Sequence, residues 1–357
     1  MVNFPAPVGG TVLPVDFAPS IVFAVLYALL VPLTFYRMVD RRSRTILLLG
    51  TVSFSIERIV IFVLRALMAH SESKRLSNGL EKYMQVSLGM GFIGIANDLA
   101  NILRCLLVNP TYGSDLYFQS PGAATKGSVV PPPPEGTPDQ PRLRAHIRQW
   151  TGLLGLSFLA ATVPGIIANS DYTASFDNQA KADKTATLRN VSSAIALVLT
   201  VVMYAIAWWG YRRLTRVSKK GILVLGQLTV LITTIALYRL VVMRHRTTSL
   251  TAPSVLNTPG NKAAFYILHV LPEWLTTVVL VAYNVRKTFG TGPWGDWRWQ
   301  DETEKEKQKR LKREAKKREK AAKKGGHIVL SEENGQNMEL THIDREKKVD
   351  TRLVASG

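Results

Sequence analysis

Apolar residues along this chain gather into long blocks. They do not form the three- and four-spaced stripes of a soluble helix or the alternation of a half-buried strand. Seven blocks approach the length of a bilayer crossing: Phe17–Tyr36, Thr45–Leu67, Leu80–Val108, Trp150–Ala168, Leu188–Trp209, Ile222–Met243 and Ala263–Val285. About 20 residues rising about 1.5 Å each match a hydrocarbon core about 30 Å thick. Hydrocarbon offers the backbone no hydrogen-bond partner, so each block must close its own bonds as a helix. The pattern predicts an all-α, multi-pass transmembrane bundle of seven helices. The third block is the least uniform, broken by Asn97, Asp98, Asn101 and Arg104.

The segments between the blocks divide the chain further. Residues 1–16 read as an extracellular N-terminal segment and 17–285 as the membrane domain. The first sixteen residues hold no Lys or Arg, and the first block is long enough to span, so it reads as a retained span. The connection 109–149 contains VVPPPPEGTPDQP, whose proline run predicts an extended cytoplasmic linker without a core. A basic helix is expected over 286–325, and 326–357 reads as a disordered cytoplasmic tail. Trp294, Trp297 and Trp299 suit the headgroup layer at its start. The pairs Glu306/Arg310, Glu314/Arg318 and Glu319/Lys323 have the order that supports a solvated helix. A basic run just after a span predicts contact with the bilayer's anionic lipid headgroups, not with nucleic acid.

Charge sets the expected orientation. The 357 residues carry a formal net charge of +19. Lys and Arg collect in alternate connections: Arg37, Arg41, Arg42 and Arg44; Lys126, Arg142, Arg144 and Arg148; Arg212, Arg213, Arg216, Lys219 and Lys220. The intervening connections hold fewer: Lys74 and Arg75; Lys181 and Lys184; Arg244 and Arg246. Basic loops stay in the cytoplasm, which puts the N-terminus outside and the C-terminus inside. Seven spans give the same parity. The plasma membrane is the expected location.

Polar residues inside the blocks carry the candidate chemistry. Glu57 and Arg58 fall midway through the second block, where an ionised group costs at least about 2.5 kcal/mol. Asn97, Asn101 and Arg104 share a helix face bordered by Asp98; Gln227, Thr234 and Tyr238 share another; Tyr266, His269, Glu273, Thr277 and Asn284 form a third stripe. Lipid satisfies none of them, so the stripes should converge. The expected cluster is Glu57, Arg58, Asn97, Asp98, Asn101, Tyr238, His269 and Glu273, with Arg58 its cation. Arg65, Arg104 and Arg239 lie near block ends and are expected to snorkel. The cluster reads either as glue between helices or as the lining of a binding cavity or proton-coupled path.

Several chemistries find no support. The sole cysteine, Cys105, excludes an intrachain disulfide. GMGFIG, at Gly89–Gly94, matches a dinucleotide fingerprint but lies inside an apolar helix, where small residues let helices approach. There is no phosphate-binding loop, no G-x-S-x-G elbow and no H-x-x-x-H pair to ligate a metal. The seventh block lacks a mid-helix lysine and an N-P-x-x-Y motif, and the Asn190 sequon abuts the fifth block too closely for modification. No enzyme, cofactor or metal is expected.

SIERIVIFVLR in the second block, ALYRLVV in the sixth and FYILHVLPEWL in the seventh resemble the fungal seven-helix proteins of the RTA1-like, lipid-translocating-exporter family. Glu57 and Arg65 look like that family's second-span pair, Tyr238-Arg239 like its sixth-span aromatic-Arg pair, and Tyr266 and Pro272 like its last-span residues. His269 stands where the family has an acid. Related fungal seven-helix families, including receptor-like ones, share the topology. The resemblance implies a protein that binds, translocates or modulates amphiphilic small molecules or lipids. The alternative is a receptor-like sensor signalling to a cytoplasmic partner through its basic loops and tail.

Overall fold

The computed structural model describes residues 2–125, 130–298, 300–313, 315, 316 and 319. The chain divides into a compact unit, Met1–Gln300, and a second unit, Asp301–Gly357. Seven spans are long and apolar enough to cross a membrane: Pro14–Val39, Ile46–His70, Asn78–Thr111, Pro141–Ser170, Gln179–Arg213, Lys219–Val242 and Pro259–Ala282. The protein is an all-α seven-helix bundle, as the blocks predict. The fourth and fifth helices begin about two turns before their apolar blocks.

The first span is broken. Helix α1 (Phe17–Ala28) stops, and α2 (Val31–Val39) restarts with Pro32 in its first turn, where a missing N–H breaks no helix bond. Helix α3 (Leu49–His70) is the second span; a single turn, α4 (Glu72–Arg75), leads to α5 (Asn78–Val108), the third. Then follow α6 (Pro141–Ser170), α7 (Gln179–Arg213) and α8 (Lys219–Val242). The seventh span is composite: α9 (Pro259–Phe265), a π turn (Tyr266–Val270) and α10 (Leu271–Ala282). Pro272 lacks the N–H that would bond the carbonyl one turn back, and the wide π turn sits over that gap. A short α11 (Val285–Phe289) ends the first unit's helices.

Helix α5 is the axle. Its apolar stretch is 83% buried, against 33% in the first span. It packs on α3, α6 and α8, so the least uniform block is the most enclosed one. The outer faces behave oppositely. Val25, Leu29, Phe35, Leu156, Leu159, Val198, Val201, Leu237 and Val241 are exposed, an apolar surface that water would not tolerate at this extent.

Segments outside the apolar blocks roof one end of the bundle and cover part of the other. Residues Phe4–Val12 are buried without a break, and Phe4–Pro5 (β1) pair antiparallel with Arg246–Thr247 (β2). The N-terminal segment thus lies inside the mouth of the bundle; this end is called the N face below. At the opposite face the proline run 131–134 is irregular and largely exposed, as expected, but the described residues around it are docked. Tyr112, Thr125 and Val130 are buried, Arg144 makes a two-pronged pair with Asp139 (2.9 and 2.8 Å), and Arg148 does the same with Asp296 (both 2.8 Å). Basic residues counted as loop charges are therefore structural here. The basic helix expected over 286–325 is also interrupted: α11 ends at Gly290, whose φ of +64° suits a left-handed cap. In the second unit, helix resumes at residue 304. The tail 326–357 lies outside the described residues.

Candidate functional site

Spacing on α3 decides what faces inward. Thr51, Arg58 and Arg65 recur every seven residues, two turns, and all three are buried. Glu57 sits a hundred degrees away; it is half-buried against Tyr83 and does not join the cluster. Arg58 does. Its Nε donates to Glu273 Oε1 of α10 at 2.7 Å, its Nη1 to Ser87 Oγ at 2.7 Å and its Nη2 to the Ser87 carbonyl at 3.1 Å. The guanidinium is held over Gly91, where an added Cβ would overlap Arg58 Nη2 and lie 2.9 Å from Glu273 Oε1. Gly89 stands likewise against the Asn169 amide. The glycines of GMGFIG thus make room for polar side chains from neighbouring helices.

The other sequence-selected residues separate into two places. Asp98 accepts from the Thr51 N–H at 2.7 Å and Thr51 Oγ1 at 2.8 Å. Thr51 lies about 10 Å along α3 from Arg58, so Asp98 belongs to a different site. Asn97 and Asn101 are half-buried, and Asn101 bonds back to the Asn97 carbonyl at 3.1 Å. Asp98 and Asn101 line a pocket of about 210 Å³ with Arg104, Asp296, Trp294 and Trp297. Both tryptophans are exposed, as an interfacial position requires; Trp299 lies outside the described residues.

His269 lies in the field of Arg239, Arg58 and Arg65, and Tyr238 packs beside it. The Tyr238 ring meets the His269 ring edge-on, with centroids 5.9 Å apart, and Phe265 packs at 5.5 Å. His269 is fully buried in the π turn, and neither ring nitrogen has a hydrogen-bond partner among the described residues.

The three arginines expected to snorkel do not. Arg65 is 1% exposed, and its Nη2 reaches Asp16 Oδ1 at 3.0 Å while its Nε donates to Tyr266 Oη at 3.0 Å. Arg239 is buried, donating to the Leu88 carbonyl at 3.1 Å and Ser193 Oγ at 3.4 Å. Arg104 is buried and donates to Thr151. Their helix ends are roofed by the N-terminal segment or the opposite-face connection, so the side chains turn inward.

The largest part of the site escaped sequence reading. Asp16, fully buried, takes four donors: Arg65, Tyr266 Oη at 2.9 Å, the Leu13 N–H at 2.8 Å and Lys262 Nζ at 2.9 Å. Gln85 Oε1 accepts from the Val8 N–H at 3.0 Å and Arg189 Nη2 at 2.9 Å, while its amide donates to buried Glu81 at 3.0 Å. Backbone carbonyls of the inserted segment complete the shell. Tyr172 bonds Pro5, Arg189 bonds Ala6, Arg65 and Lys262 bond Gly9, and Lys262 also bonds Thr11. One signal was available: Asp16 is the lone charged residue before Arg37.

In this layer five buried cations, Arg58, Arg65, Arg189, Arg239 and Lys262, face three buried carboxylates, Asp16, Glu81 and Glu273. Glu273 pairs with Arg58, and Asp16 with Arg65 and Lys262. Arg189 and Arg239 form no ion pair among the described residues, although Glu81 lies in the field of Arg189. A buried surplus of positive charge is expensive, and an anion is what would relieve it.

These features define the class: an integral, multi-pass, seven-helix membrane protein with a charged site buried beneath its N face. No protein-family profile, curated protein or solved structure matches the chain.

Proposed function

We propose that this protein binds an anionic amphiphile in the N-face site, with the inserted N-terminal segment as the occupant that the ligand displaces or covers. The carrying observation is the surplus of buried cations among the described residues, Arg189 and Arg239 foremost, beside the imidazole of His269, which has no hydrogen-bond partner among those residues. Anionic heads suit guanidinium groups, and the apolar flank of Tyr238, Phe265 and Phe92 suits a hydrocarbon chain. The resemblance to lipid-translocating exporters agrees with an amphiphilic ligand. The bias of basic residues toward alternate connections supports this face lying outside the cell; on that reading a reporter on the C-terminus should be reachable from the cytoplasm alone.

The test uses the purified full chain in nanodiscs and a fluorescent fatty acid as the anionic probe. Arg239→Met removes a buried cation that forms no ion pair among the described residues, so the unliganded variant should be at least as stable as wild type while probe binding falls about tenfold or more. Unchanged binding would remove the proposal. A neutral amphiphile of equal length should bind weakly to both.

A second reading, a receptor-like sensor, draws on the π turn. Tyr266 and His269 lie in it, Pro272 follows it, and Tyr266 touches Asp16. Occupancy of the site would then act on the twist of the seventh span. Site-specific labels on α10 that do not move when the probe binds would count against it.

A further inference from the structure

Helices α7 and α8 leave a second site at the opposite face, independent of the N-face site. Their C- and N-terminal turns diverge around a groove of about 430 Å³ lined by Tyr204, Trp208, Tyr211, Leu223, Gly226 and Val230. That volume is in the range of small-molecule sites. Gly226 opens it: a Cβ there would meet only Tyr204, at 3.6 Å. Tyr204, Trp208, Leu223 and Val230 are exposed, so the groove opens on the lipid-facing side of the bundle.

Its rim is basic. The Arg212 guanidinium lies over the Trp208 ring at 4.7 Å, and Lys219 Nζ stands 5.8 Å from the Tyr211 ring. These contacts hold two cations at the mouth of the groove, one from each helix. Arg213 and Lys220 beside them are exposed. Arg216 is engaged otherwise, donating to the carbonyls of Pro110 and Tyr112. No Asp or Glu occurs between Asp183 and Glu273, so this hairpin carries no acid of its own to neutralise the rim.

We infer that this groove binds a phospholipid with an anionic headgroup, its acyl chain between α7 and α8 and its phosphate against Arg212 and Lys219. An apolar slot in the bilayer ending at paired cations matches both halves of that molecule. Neutral phospholipid would fill the slot but gain little from the rim.

The experiment is native mass spectrometry of the full chain released from nanodiscs of dioleoyl phosphatidylserine and dioleoyl phosphatidylcholine in equal amounts. Wild type should retain the anionic lipid in clear preference. Removing two cations that each contribute roughly fivefold near a charged surface should erase most of it in Arg212→Gln/Lys219→Gln. Gly226→Leu fills the groove and leaves every charge in place; it too should lose the preference. Arg212 and Lys219 are exposed, and Gly226 is buried but faces only Tyr204 within 4 Å of an added Cβ; monodisperse elution checks that the variants fold. No preference in wild type, or a preference that survives both variants, would overturn the inference. The second outcome would assign the anionic lipid to the basic run after residue 303. A preference lost on charge removal but kept in Gly226→Leu would overturn the groove as the acyl site.

Discussion

The Arg58–Glu273 pair offers the sharpest test of how the bundle is held. Its residues are 215 positions apart, at 1% and 2% exposure, with Nε to Oε1 at 2.7 Å. Changing Glu273 to Gln removes the negative charge; the amide oxygen can still accept from Nε, but Arg58 is left with neutral acceptors, this one and the two of Ser87, and no counter-charge. A charge-assisted hydrogen bond contributes about 1.5–3 kcal/mol, and stranding a buried charge raises the total to about 3–5 kcal/mol. That is roughly two to four orders of magnitude in the folded ratio. Replacing both partners, as in Arg58→Met/Glu273→Leu, removes the desolvation of two ions together. The double variant should recover to within about 1 kcal/mol of wild type, or exceed it. The assay is thermal unfolding in nanodiscs, followed by tryptophan fluorescence, with both single variants and the double. A Glu273→Gln transition superimposable on wild type would refute the reasoning, because it would mean that the guanidinium finds water or another acceptor. A double variant that stays stable but no longer binds the anionic probe would give the pair a functional role beyond glue.

Two further tests address the packing around this site. Gly91→Ala places a methyl on the Arg58 guanidinium, so it should destabilise by about 1–3 kcal/mol, and the loss should shrink in the Arg58→Met background; thermal unfolding of the four proteins reads that coupling. Gly9 has φ +80° and an added Cβ would lie 2.8 Å from the Phe265 ring, so Gly9→Ala should unseat the N-terminal segment. A cysteine at Ala6, 2% exposed in the seated state, should resist an aqueous maleimide in wild type and react at least about tenfold faster with Gly9→Ala; equal rates would show that the segment does not depend on that turn.

Length and hydropathy determined the seven crossings, because a helix in hydrocarbon has no alternative way to satisfy its backbone. The pattern also marked Arg58 and Glu273 as inward-facing, since an ion midway through a span has nowhere else to go. Glu57, the immediate neighbour of Arg58, reads as part of the same cluster because adjacency in sequence hides a hundred-degree turn. The seven-residue interval of Thr51, Arg58 and Arg65 held the better signal. Polarity stripes placed Asn97, Asn101 and Asp98 in the same cluster; their depth along α5 separates them from Arg58.

What the one-dimensional pattern could not determine is which ends of the helices meet water. Snorkelling assumes that a span's end is open, but residues 4–12 roof one end of this bundle, and the segment around Tyr112, Asp139 and Asp296 covers part of the other. Those covers have ordinary loop compositions, prolines and small polar residues, and their burial follows from carbonyls and carboxylates that buried arginines and a lysine require. The sequence by itself determined that seven apolar helices cross a membrane and that some charges lie within them. Only the tertiary structure decided that Asp16 lies beneath the N face, that Arg65 turns toward it, and that Arg189 and Arg239 form no ion pair among the described residues. Those partners are brought together by packing across helices far apart in the chain, which no local spacing records.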